Sequence, residues 1–161
     1  MSPDLAEIER RMQPGAWDTA GFLTRGTSLQ AVLAADRETL ASRGVDAATL
    51  GDRLAGVLER AGAGSDWRTP AQVGPHEVEI LRQRGFITCP WAAEEFEACY
   101  EGSGARPTAN RFSVLHRPSG RRLEGFELSA HLMRDHGFFG GPGSRFRLDP
   151  LDVAAVLLAD C

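Results

Sequence analysis

The stretch Leu128-Ser129-Ala130-His131-Leu132-Met133-Arg134-Asp135-His136-Gly137-Phe138-Phe139 reads as the end of a helix. Glycine at 137 suits the left-handed conformation that closes a helix, and the helix dipole favours a histidine in the last turn. Two of the four histidines lie here, downstream of Cys89 and Cys99. Residues five apart on an ideal helix sit about 140° from each other around the axis. His131 and His136 therefore share a face only where the helix loosens or ends. In the plainer reading His131 packs against the core and His136 caps the helix. In the chemical reading both bind a metal, since small zinc sites pair cysteine with histidine at H-x3-5-H spacing. The expected ligands are then Cys89, Cys99, His131 and His136, with His116 as a substitute fourth. The helical half resembles that of a Cys2His2 finger. The cysteine half departs from it, because Cys89 and Cys99 are spaced C-x9-C.

Working outward, the C-terminal region mixes strand and helix signals. His76, Val78 and Ile80 alternate with Glu77 and Glu79 as in a strand. Phe86-Ile87-Thr88 resumes it. Pro90 starts a helix through Trp91, Phe96 and Cys99, with Glu94, Glu95 and Glu97 near its first turns. Such a helix separates the two cysteines, so both reach one metal only if it is short or bent. Phe112 to His116 and Arg121 to Leu123 flank Pro118-Ser119-Gly120 as a hairpin. Gly137 to Ser144 is a loop, Arg145 to Leu148 a short strand, and Asp149-Pro150 opens a last helix. Upstream, Pro3 to Met12 forms a short helix. Thr27 or Ser28 caps a helix ended by Gly44, and Asp46 caps another carrying Leu50, Leu54, Val57 and Leu58. The expected fold class is α+β. A helical N-terminal part (1–62) and a Gly/Pro linker (63–75) precede a mixed module (76–161) with short strands, a hairpin and two or three helices.

At 161 residues, 42% hydrophobic and 25% charged, the chain can bury a real core. No apolar run approaches the roughly 18 residues of a membrane span, and the polar N-terminus has no signal-peptide pattern. A cytoplasmic protein without a membrane partner is expected. The three cysteines then read as reduced thiols, with Cys161 an exposed bystander. All 18 basic residues are arginine, the mark of a GC-rich bacterial genome. The lack of lysine excludes Schiff-base chemistry, a P-loop and a Ser-Lys pair. A net charge of −4 gives no general reason to bind polyanions. Between Arg106 and Arg147, however, eight arginines face only Glu124, Glu127 and Asp135, a local excess of +5. That surface suits phosphate or nucleic acid, or carboxylates elsewhere balance it.

Cys89 falls where strand meets helix N-terminus, a place that lowers a thiol's pKa. Asp135 lies one turn after His131 and can orient its imidazole, for a metal or for use as a base. The alternative catalytic set is thus Cys89 as nucleophile, His131 as base and Asp135 as orienter, although no known nucleophile signature surrounds Cys89. The glycine-rich loop after Gly137 lacks G-x-G-x-x-G spacing and is no phosphate loop.

The segment Leu128 to Pro150, HLMRDHGFF followed by RFRLDP, resembles a tail found in uncharacterised bacterial proteins. The resemblance covers about 23 residues. It implies a recurring structural unit, consistent with a shared core or metal knot, and no activity. The expected function is a non-enzymatic interaction or scaffold protein with a protein partner and zinc as a structural cofactor. The alternatives are a small Cys/His-dependent or zinc-dependent hydrolase or transferase, and a nucleic-acid-binding accessory protein.

Overall fold

The structure, a computed structural model, describes residues 3–64 and 69–159. Cys161 and residues 65–68 of the expected linker lie outside the described residues. The element order is α1 (Leu5–Arg11), α2 (Leu29–Ala41), α3 (Ala47–Gly64), β1 (Ala71–Val73), β2 (His76–Leu81), β3 (Arg111–His116), β4 (Arg121–Phe126), α4 (Leu128–His136) and α5 (Pro150–Leu157). This is an α+β fold with helices at the N-terminus.

Helix starts follow the cap residues. Asp4 accepts from the Glu7 N–H, Ser28 from Ala31, and Asp149 from Leu151 and Asp152. Asp46 accepts from the Thr49 N–H at 2.7 Å and opens α3. These side chains satisfy donors that the first turn cannot pair internally. Gly137 closes α4 at φ 65°, as its sequence position predicts. The α3 helix runs through Gly64, and β1 occupies 71–73, so both ends of the expected linker are regular structure.

The four strands pair antiparallel in sequence order. Register aligns Ala71, Val78, Val114 and Leu123 in one cross-strand row, and Ile80, Phe112 and Gly125 in the next. Cross-strand partners share a face, so these rows form one apolar surface. Helix α3 covers it with Leu54, Val57, Leu58 and Ala61, and α5 with Val153 and Val156. A second core lies under α1 and the long loops, built from Met12, Phe22, Leu23, Phe126, Phe138 and Phe146 among others. Helix α4 stands between the two. Its Ala130 and Met133 face the first core, its Leu128 and Leu132 the second. Phe138 and Phe139, adjacent in sequence, go to opposite cores. A Cβ at Gly51 would collide with the Arg134 backbone nitrogen, so α3 and α4 touch backbone to backbone there.

Three sequence expectations fail. Residues 86–88 and 145–148 are not strands, and no helix follows Pro90. The reason is competition for backbone groups. Carbonyls that a helix from Pro90 needs are taken by Arg11, whose guanidinium donates to Pro90 (2.9 Å), Ala92 (2.6 Å) and Ala93 (3.2 Å). The Phe96 N–H donates instead to Thr88 Oγ1, and Phe96 itself sits at φ 68°. Near 145–148 the backbone turns, with the Arg147 N–H donating to Ser144 and the Leu148 N–H to Phe139. No helix among the described residues is long and apolar enough to cross a membrane.

Candidate metal centre

Without the helix, the chain from Cys89 to Cys99 is a closed loop. Cys99 exchanges two backbone hydrogen bonds with Ala105 (2.7 and 2.8 Å), which turns the chain back on itself. Cys89 and Cys99 are both buried and unpaired by disulfide. Helix α4 brings His131 and His136 to meet them. His136 is the last residue of α4, where the helix gives way to Gly137, and its side chain is only 2% exposed. Its ring stacks on Trp91, with centroids 4.2 Å apart and planes 6° from parallel, and meets the His131 ring edge-on.

Ligand atoms of Cys89, Cys99, His131 and His136 all lie within 4.8 Å of one another. His136 Nε2 is 3.6 Å from Cys99 Sγ and 3.2 Å from His131 Nε2. Around a tetrahedral zinc with bonds of about 2.0–2.3 Å, donor atoms stand roughly 3.3–3.8 Å apart. The group could therefore hold a metal ion. The outer nitrogens face carboxylates. His131 Nδ1 lies 2.7 Å from Asp135 Oδ2, too oblique for a well-directed hydrogen bond, and His136 Nδ1 is 3.5 Å from Glu101 Oε2.

Without a metal, the electrostatics of the group are divided: Cys89 is held protonated, while Cys99 and His136 shift toward their ligand forms. Burial, then the neighbouring Cys99, pushes the Cys89 thiol up. The Cys89 hydrogen bond draws the Cys99 thiol below its usual range, with the Glu101 backbone N–H and both imidazoles assisting. Burial pushes His136 down, toward the neutral form a metal needs. Burial raises Asp135, but the Ser103 hydroxyl and N–H, with His131 and Arg134, outweigh it and leave the carboxyl below its usual range.

This corrects the expectation for Cys89. It does not sit at a helix N-terminus, its thiol is raised rather than lowered, and it is 2% exposed, which does not suit an attacking thiolate. The His131–Asp135 pair expected from their spacing is present. His116 is not in the cluster. It lies at the end of β3, beside the His76 ring (centroids 5.6 Å) and within hydrogen-bond distance of Ser119. The arginine-rich segment is partly neutralised from the N-terminal half: Arg147 pairs with Asp36, Arg145 with Asp18, and Arg134 with Asp52. Sequence reasoning missed Trp91 and Glu101, which lie against His136, and Ser103, which holds Asp135. A tryptophan two residues after Cys89 was the one local signal. Comparison with protein-family models, with curated proteins and with solved structures finds no match for this chain.

Proposed function

We propose that Cys89, Cys99, His131 and His136 bind one zinc ion as a structural staple in a non-enzymatic interaction or scaffold protein. The observation that carries this is a buried set of two sulfurs and two imidazole nitrogens within 4.8 Å. Four protein donors fill a tetrahedral shell and leave no open position for substrate, as in structural rather than catalytic zinc sites. Thiolate ligands of this kind belong to a reducing compartment, in line with a cytoplasmic location.

A protein partner is supported by what the stapled segment displays. Phe96 and Tyr100 are 67% and 87% exposed, and Phe86 close by is 69% exposed. With Ala98, Arg106 and Pro107 they line a groove of about 510 Å³. Clustered exposed aromatics of this size mark contact surfaces.

Metal analysis of protein purified without an affinity tag tests the proposal. About one zinc per chain is expected, and cobalt exchanged for it should give a tetrahedral spectrum with thiolate charge-transfer bands. A stable, metal-free protein that takes up neither ion overturns it. If one thiol were then hyper-reactive, the hydrolase or transferase reading would replace it.

A further inference from the structure

We infer that Asp135 and the turn Glu101-Gly102-Ser103 are positioning groups that aim both imidazoles at the metal and set the affinity of the site. The inference rests on the zinc reading above and deepens it.

The ring orientations carry the argument. Each Nδ1 faces a carboxylate, Asp135 for His131 and Glu101 for His136. In the tautomer that carries its proton on Nδ1, the side of the carboxylate, each ring leaves the Nε2 lone pair free for a metal. The two Nε2 atoms stand 3.2 Å apart, beside the Cys99 sulfur. At that distance either one ring donates to the other or a cation lies between the two lone pairs. The carboxylates thus fix the tautomer and raise the basicity of both ligands.

The turn holds the carboxylate in place. Ser103 Oγ donates to Asp135 Oδ2 at 2.6 Å, and its N–H donates to Oδ1 at 3.2 Å. Gly102 makes this approach possible. At φ 55° it occupies the left-handed region, and a Cβ there would fall on the Asp135 carboxylate. The side chain of Asp135 is 10% exposed, so solvent competes little for it. A turn from the cysteine loop and a carboxylate from α4 therefore clasp each other outside the histidines. Metal binding and the ordering of 101–103 reinforce each other.

The test is competition for zinc against a chromophoric chelator, using full-length protein. Asp135→Ala should bind zinc about 10–100-fold more weakly. Asp135→Asn should recover part of that loss, because an amide oxygen can still accept from Ser103 and keep its place beside Nδ1. Ser103→Ala removes the tie but leaves the carboxylate, so it should weaken binding only a few-fold. Glu101→Gln, at a half-exposed side chain, should also cost a few-fold and keeps the proposal testable if Asp135→Ala does not fold. In the zinc-saturated variants far-ultraviolet circular dichroism should match wild type. Unchanged affinity in Asp135→Ala overturns the inference. So does an equal loss in Ser103→Ala and Asp135→Ala, which would make Asp135 a loop tie only. Either result leaves wild-type zinc binding intact. Wild-type protein that binds no zinc overturns the zinc reading itself, and this inference with it.

Discussion

The half of the molecule around α3, α5 and the sheet and the half around α1 and the long loops bury similar apolar side chains but solve the backbone problem differently. In the first, ladders and helices pair their own N–H and C=O groups, and side chains need only pack. In the second, long irregular segments leave backbone groups that must find partners elsewhere. Arg11 supplies donors to three carbonyls, Thr88 accepts from Phe96, and Asp18 accepts from Ala20 and Gly21. Aromatic stacks fill the core there, with Phe22 on Phe146 at 4.3 Å and Trp91 on His136. The thiol–imidazole cluster lies in this half. Regular structure stabilises itself locally, whereas an irregular half depends on a few long-range fasteners.

The largest expected effect follows from removing the proposed zinc. Stripping zinc with a chelator, or substituting His131→Ala, should destabilise the protein by about 4 kcal/mol or more, because metal affinity is linked to folding. Thermal unfolding measures the loss. Hydrogen exchange locates it: 86–110 and 137–147 should lose protection first, while α3 and β2–β4 keep theirs. Uniform loss across both halves would break the contrast.

A smaller but still severe effect is expected at Gly51, within the regular half. Here α3 and α4 meet without room for a methyl group. Gly51→Ala should cost about 3 kcal/mol through overpacking of backbone on backbone. Urea unfolding reads it as a lower midpoint with an unchanged slope. A tolerated alanine would mean that the two helices can slide apart, and that α4 is not rigidly seated between the cores.

The same contrast decides what could be read from sequence. Period and caps are local signals, so α2, α3, α5, the β3–β4 hairpin and the Gly137 stop were legible. The segment from Pro90 to Cys99 carries equally good helix signals, a leading proline and early glutamates. They are overruled by Arg11, some 80 positions away, which takes the carbonyls. That single error also distorted the site. A helix between the cysteines made their convergence look strained, whereas the irregular chain found from 89 to 99 lets them meet at no such cost. Ligand types and the His131–Asp135 pair were visible from spacing. Glu101 and Ser103 were not, because only the fold brings their turn to α4.

Arg11 therefore offers a direct test of the long-range fastener idea. Arg11→Met keeps an aliphatic stem of similar reach but leaves the carbonyls of Pro90 and Ala92 without their buried donor. The expected cost is about 2–3 kcal/mol. The cysteine loop should loosen, so zinc should also exchange faster in this variant. Destabilisation without any change in zinc exchange would separate Arg11 from the metal centre and show that the loop is held by its ligands alone.

The smallest effect tests the self-sufficiency of the regular half. Asp46 caps α3 through the Thr49 N–H, and that hydrogen bond holds its carboxyl below the usual range. A carboxyl lowered by folding stabilises the folded state above its unfolded pKa of about 3.9 and loses that contribution as pH falls through the lower folded value. Asp46→Asn keeps an N-cap of comparable quality but cannot titrate. Wild type should thus hold a slight advantage in melting temperature at pH 6, and the advantage should shrink below about pH 4. Asp46 lines a pocket with the candidate ligand His136, so the comparison is made on metal-free protein, where acid release of a metal cannot contribute. If the two curves stay parallel from pH 6 to about pH 2, the cap works through its hydrogen bond and not its charge.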